Sequence, residues 1–300
     1  MSKTQNNRLL KFFNATELLT IAYIVVTACY VLIFFKKIDS ASERFIFRFV
    51  CLGVICALAA LSHRRPSKTL DLIRYLFPVA LIIYWYPETS YLNDCIFRDL
   101  DCRFARVEEW FFGCQPSLLF CKIFPQRWVS ELMCFGYVSF YLIITLIIIY
   151  FRCCTNRQRS EKISFLILCS FFIYYIIFIL LPVEGPQFYF TDNQIPEGYF
   201  FYKLLSVIQF YGEERTGAFP SSHVGMTLIM LMIFFRYRRS FFYALLPVCI
   251  VLVLSTVYVK AHYVIDVVGG VISAPIILFA GIKLSNYFLT HKILFFDKRQ

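Results

Sequence analysis

Charge is scarce in this sequence: Asp, Glu, Lys and Arg make up 16% of its 300 residues, against about 25% in soluble globular domains. With 59% apolar residues beside it, that scarcity excludes a disordered chain and an ordinary cytosolic enzyme. Acidic residues are scarcer still, 19 against 30 basic ones. Internal repeats and low-complexity segments are absent, and no outer cluster of Asp, Glu, His or Cys has a metal-site pattern. The net charge of +11 sits on a chain with no soluble fold to carry a basic groove, so nucleic acid is excluded as a partner.

What the chain has in abundance is apolar runs and aromatics, including 35 Phe and 20 Tyr. A membrane-spanning helix needs about 20 consecutive apolar residues. Eight candidates meet or approach that length, at 15–35, 45–62, 71–87, 130–151, 163–182, 220–235, 241–259 and 263–282. The expected fold is therefore all-α: a polytopic helical membrane protein of about eight spans. The first span follows Lys3, Arg8 and Lys11, and its length and lack of a small-residue cleavage site oppose a removable signal peptide. Residues 1–70 are expected as N-terminal spans. Residues 71–300 are expected as a membrane core with outer loops 88–129 and 183–219.

Loop charge orients the spans. One side takes 56 residues with 17 Lys/Arg, among them Arg64, Arg65, Lys68, Arg236, Arg238 and Arg239, and only Glu161 and Asp297 as acids. The opposite loops hold 11 Lys/Arg and 13 Asp/Glu. The positive-inside rule then places both termini in the cytoplasm, with anionic membrane lipid as the partner of the basic loops. The acidic loops face the periplasm, the exterior or a lumen. Four cysteines, Cys95, Cys102, Cys114 and Cys121, fall in one outer loop, where two disulfides are allowed and three pairings are open.

Four histidines are present. His63 and His291 flank spans on the basic side, as interfacial polar residues do. His223 and His262 sit at the outer ends of spans, each within a polar cluster. Phe219-Pro220-Ser221-Ser222-His223 precedes an apolar helix. Such an end offers free N–H groups and a positive pole to a phosphate. In the second cluster, Ser255 to Asp266, His262 and Asp266 are four apart and share a helix face. A carboxylate there is expected to take one ring N–H and leave the other nitrogen basic. A third segment, Leu181 to Tyr189, turns at Gly185-Pro186. Residues 105–112 mix Trp110, Phe111 and Phe112 with Arg106, Glu108 and Glu109, and are expected to form a short interfacial helix near the mouth of the site.

Together these segments resemble the type 2 phosphatidic acid phosphatase superfamily. Pro220-Ser221-Ser222-His223 resembles its second motif, and Ser255 to Asp266 its third, with the two histidines 39 residues apart. Gly185-Pro186-Gln187, with Glu109 to Ser117, Glu131 and Tyr137 upstream, resembles the inositol-phosphorylceramide synthase-like branch. The resemblance covers about 100–283 and implies a six-helix phosphatase-type core acting on a lipid phosphate. It implies His262 as the nucleophile that takes the phosphoryl group, Asp266 as its orienter, and His223 as the proton donor to the leaving oxygen. Ser221, Ser222, Lys260, Gln187 and Arg215 are the phosphate-binding candidates. No metal and no cofactor are implied. Gln187 and Thr256 stand where family phosphatases bring cations, which fits a diester's single charge better than a monoester's two. Hydrolysis of a lipid phosphomonoester through a phosphohistidine is the first expectation, and headgroup transfer to a lipid alcohol the alternative. A transporter or lipid-binding protein with a degenerate site is the third, disfavoured by the lack of inverted repeats.

Overall fold

A computed structural model describes residues 12–192 and 194–296, with the backbone alone for 289–296. Lys3, Arg8, Lys11 and Asp297, and the side chain of His291, lie outside the described residues. Twelve α-helices and no strand occur among those described. In chain order they are α1 (Ala15–Ile33), α2 (Ala41–Arg64), α3 (Lys68–Leu92), α4 (Asp101–Phe112), α5 (Pro116–Ile123), α6 (Arg127–Cys154), α7 (Arg157–Leu180), the single turn α8 (Pro186–Tyr189), α9 (Phe200–Gly212), α10 (Ser222–Tyr237), α11 (Arg239–Tyr258) and α12 (Val264–Phe296). The chain is an integral membrane protein. Seven of these helices are long and apolar enough to span a bilayer. The eighth expected span is α10, whose 16 residues rise about 24 Å, short of the roughly 30 Å hydrocarbon core. It is short because residues 216–222, at and before its start, fold into the bundle.

The boundaries follow local chemistry. Ser67 and Asn156 accept N–H groups of Leu70 and Arg159, capping α3 and α7. The α6 helix packs along α11, and α10 is enclosed by α12, α11 and α7. The central helix is α7, with 78% of its apolar window buried. Where α10 crosses α12, a Cβ on Gly270 would meet the Ser221 carbonyl oxygen at 2.7 Å, so only glycine permits this close approach.

The three N-terminal helices are tied together by two buried ion pairs. Arg48 of α2 makes a bidentate pair with Glu88 of α3, at 2.7 and 2.9 Å, and its Nε also donates to Thr27 of α1. Arg74 of α3 donates to Glu17 of α1 at 2.7 and 2.6 Å. Removing one partner leaves the other charge unpaired in an apolar setting, at a cost of about 3–5 kcal/mol. Glu88→Ala should therefore sharply lower the thermal midpoint in detergent, while Arg48→Met/Glu88→Leu should cost less than the single variant. Equal midpoints for Glu88→Ala and the parent chain would contradict this role.

Basic residues gather at one end of the bundle. There Arg152 and Arg157, around the α6–α7 turn, both bond Asp71 of α3. The four outer-loop cysteines form no disulfide in this structure. Cys95 is buried with Val31 and Ile38, whereas Cys121 is buried with Val129 and Met133 in a separate cluster.

Candidate active site

The second and third sequence clusters meet at the opposite end of the bundle. His223 begins α10, and His262 lies in the short turn between α11 and α12. Their rings are in direct contact, with His223 Nδ1 3.2 Å from His262 Nε2. His262 Nδ1 lies 2.9 Å from the backbone carbonyl of Ala218. A carbonyl only accepts, so Nδ1 of the neutral ring must carry the proton and donate it. Nε2 is then left with its lone pair, facing His223. Burial pushes His262 down to about 4, against the opposing pull of the Ala218 carbonyl and the Glu213 carboxylate. The ring is neutral at pH 7, the state a nucleophilic nitrogen requires.

The expected orienter is not the nearest one. Asp266 Oδ2 stands 3.7 Å from His262 Nδ1, beyond a hydrogen bond. It instead accepts the N–H of Tyr263 at 2.8 Å. The physical reason is local. Asp266 occupies the first turn of α12, and a carboxylate there reaches back to the backbone preceding the helix. Spacing of four places Asp266 on the face of His262, and the Ala218 carbonyl takes the proton.

His223 is held by aromatic packing, with ring centroids 4.4 Å from Phe140 and 4.6 Å from Tyr137. With its Nδ1 proton directed at His262, its Nε2 becomes the acceptor. That atom is buried and has no hydrogen-bond partner, a condition that costs free energy and calls for an explanation.

The phosphate-binding candidates separate. Ser221 and Ser222 are buried at the start of α10, beside His223. The Ser221 hydroxyl already caps that helix by accepting from Val224 N–H at 3.3 Å. Gln187 donates to Glu213 at 2.6 Å and accepts from Gln209 at 3.0 Å. Tyr137 donates to the other oxygen of Glu213 at 2.7 Å. Lys260, fully buried, turns the other way: its ammonium donates to the carbonyls of Asp192 and Gln194, each at 2.7 Å. Arg215 is exposed, facing Glu184 at 3.6 Å and the Phe188 ring. Glu213, held by Gln187 and Tyr137, is a carboxylate of this end of the bundle that sequence reasoning missed. The four-residue spacing of Gln209 and Glu213 at the end of α9 was the available signal.

The loop before α8 approaches this turn closely. Gly185 has φ +101°, and a Cβ on it would lie 2.7 Å from the carbonyl oxygen of Ala261. Gln187 N–H donates to the carbonyl of Lys260 at 2.9 Å, joining the same two segments. Glu131 accepts N–H groups of Tyr199, Phe201 and Tyr202, and so caps α9, which carries Gln209 to the site.

With these three segments joined, comparison with known proteins is decisive. The model of the PAP2 superfamily matches residues 103–280, more than half of the chain. The chain belongs to the PAP2 superfamily. It is therefore an enzyme of phosphatase type, acting on phosphate esters. No curated protein and no solved structure matches it. In this superfamily member the matched region runs from α4 into α12, and includes both histidines and the Gly185 turn.

Proposed function

We propose that the protein is a lipid phosphate phosphatase acting at the outer membrane face through a phosphohistidine on His262. The observation that carries this reading is the Ala218 carbonyl on His262 Nδ1, which leaves Nε2 as a buried, neutral nucleophile. A substrate phosphate enters between the two rings and displaces their mutual hydrogen bond. His262 Nε2 then attacks phosphorus, forming the P–N bond as the P–O bond to the lipid alcohol breaks. The departing oxygen takes its proton from His223: burial holds this ring's pKa well below the usual histidine value in the empty site, and the negative charge of the bound phosphate raises it, so that the unpartnered Nε2 takes up a proton beforehand. His223 next removes a proton from water, which attacks the phosphohistidine and frees His262. Ser221, Ser222 and the N-terminus of α10 offer donors to the phosphate oxygens. Asp266, 3.7 Å from the ring that becomes cationic, supplies compensating charge. The outer placement rests on loop charge, since the site lies at the end of the bundle away from Arg64, Arg65 and Arg236–Arg239.

A second reading has its own support. Lys260 and Arg215 are engaged elsewhere and Glu213 stands near the pair, so the site is poor in positive charge. A phosphodiester monoanion suits it better than a monoester dianion, with a lipid alcohol in place of water as acceptor. One experiment separates the two. The purified protein is offered radiolabelled lipid phosphomonoesters and phosphodiesters in bilayers, with and without a lipid alcohol. Acid-labile label on His262 with phosphate release from monoesters is the expected result. A labelled new lipid formed only with the alcohol would establish transfer. Turnover with no acid-labile label would overturn the covalent mechanism.

A further inference from the structure

The mechanism above uses no residue of α4, yet α4 carries two fully buried carboxylates, Asp101 and Glu108. They are seven residues apart, so with Ala105 they form one stripe along the helix. The opposite side and the C-terminal end expose Arg103, Arg106, Trp110 and Phe111. Burying a carboxylate is costly unless it is well hydrogen-bonded, so what these two hold is informative.

Asp101 accepts the N–H groups of Glu184 and Gly185 at 2.6 and 2.8 Å, and the hydroxyl of Tyr263 at 2.9 Å. Glu108 accepts the N–H group of Val264, the first residue of α12. Glu108 therefore grips backbone two residues from His262, while Asp101 holds the side chain of the adjacent Tyr263 together with the 184–185 backbone. Between them the contacts are continuous. Ala218 N–H donates to Val183 O at 3.0 Å, one residue before the pair held by Asp101. The carbonyl of that same Ala218 holds His262 Nδ1. Ala105 of α4 packs in one cluster with Val183, Ala218 and Tyr263.

We propose that Asp101 and Glu108 are positioning residues, and that α4 is a brace lying across the active-site end of the bundle which sets the orientation of His262 from two sides. Asp101 fixes the 183–185 segment that holds Ala218. Glu108 fixes the start of α12, and with it Tyr263 and Asp266. Burial pushes both carboxyl groups up to about 7, even though both accept from backbone N–H, so these sites are not the lowest-energy use of two acids. Unlike Glu131, which caps a helix at the exposed surface, they sit one or two residues from the reacting groups. A misplacement of about 1 Å in such a support can cost on the order of 100-fold in rate.

The inference rests on the reading of His262 as the phosphate-bonding group, and its test keeps the two apart. Full-length protein in phosphatidylcholine nanodiscs is compared with Glu108→Gln, His262→Ala and, as an exposed control on the same helix, Glu109→Gln. Orthovanadate, which bonds a histidine nitrogen as a phosphoryl mimic, is the probe, and the readouts are the vanadate-induced rise in thermal midpoint and turnover per folded molecule. The expected result is a vanadate shift in the parent chain and in Glu109→Gln, none in His262→Ala, and less than half in Glu108→Gln. Turnover of Glu108→Gln should fall about 10- to 100-fold with KM and the vanadate-free midpoint little changed. If Glu108→Gln does not fold, Tyr263→Phe, which removes only the hydroxyl donated to Asp101, carries the same comparison with a smaller loss. A full vanadate shift and full turnover in these variants, or a loss matching only the unfolded fraction, overturns the brace. No vanadate shift in the parent chain overturns the reading of His262 on which the brace rests.

Discussion

His262→Ala should abolish turnover, by on the order of 10⁴-fold or more, while leaving the protein folded. The size of the loss follows from what the residue does. Without Nε2 there is no P–N bond, and the site is left with a helix N-terminus and two serines that bind phosphate but cannot divide the reaction into two steps. The ring contributes little to the membrane fold, since it lies in a turn between α11 and α12 and its one backbone partner is Ala218. Phosphate release measured at saturating lipid, with the thermal midpoint as a control for folding, checks the expectation. A variant retaining a tenth of the parent rate would sink the nucleophile assignment. A variant that is inactive and also unfolded would leave the assignment to the phosphoenzyme label, which must then map to His262 in the parent chain.

Much of the architecture was legible because bilayers impose simple arithmetic. Runs near 20 apolar residues located the seven helices long enough to span a bilayer, and the eighth candidate, α10, is shorter because its first turn belongs to the site. The histidines were legible for a related reason: polar clusters at the ends of apolar spans are expensive unless used. Helical spacing, however, reports which residues share a face and not which partner is closest. Asp266 is four residues from His262, but a carbonyl 44 residues away in sequence wins the proton. Lys260 is two residues from the nucleophile, yet a left-handed backbone at φ 62° directs its side chain to the carbonyls of Asp192 and Gln194. A helix at α4 was visible in the aromatics of 105–112, whereas the role of its inner carboxylates was not, because most of their partners are backbone N–H groups, which have no sequence signature. The same holds for α9, whose apolar exposed face, with Phe210 and Tyr211, hides the function of Gln209 and Glu213 on the other.

His223→Ala should separate the two chemical steps that His262→Ala removes together. On a lipid phosphate, whose alkoxide leaving group has a high proton affinity, the variant should lose about 10²- to 10⁴-fold in turnover, the usual contribution of a positioned acid. With a nitrophenyl phosphate ester the leaving oxygen needs no proton, so formation of the phosphohistidine should recover to within about tenfold of the parent chain. Its breakdown should not recover, because the same nitrogen activates the incoming water, and label on His262 should accumulate. The structure adds a detail to this expectation. His223 Nδ1 lies 3.2 Å from the attacking Nε2, so alanine also frees that lone pair from its hydrogen bond and opens space where the ring packs, tilted, against Tyr137 and Phe140. Attack on an activated ester is thereby helped, while the dephosphorylation step has lost its base. A burst of one nitrophenol per enzyme followed by slow turnover is the kinetic signature. Equal losses on alkyl and aryl esters, with no burst and no label, would mean that His223 serves only to hold His262, and the proton would have to come from another group.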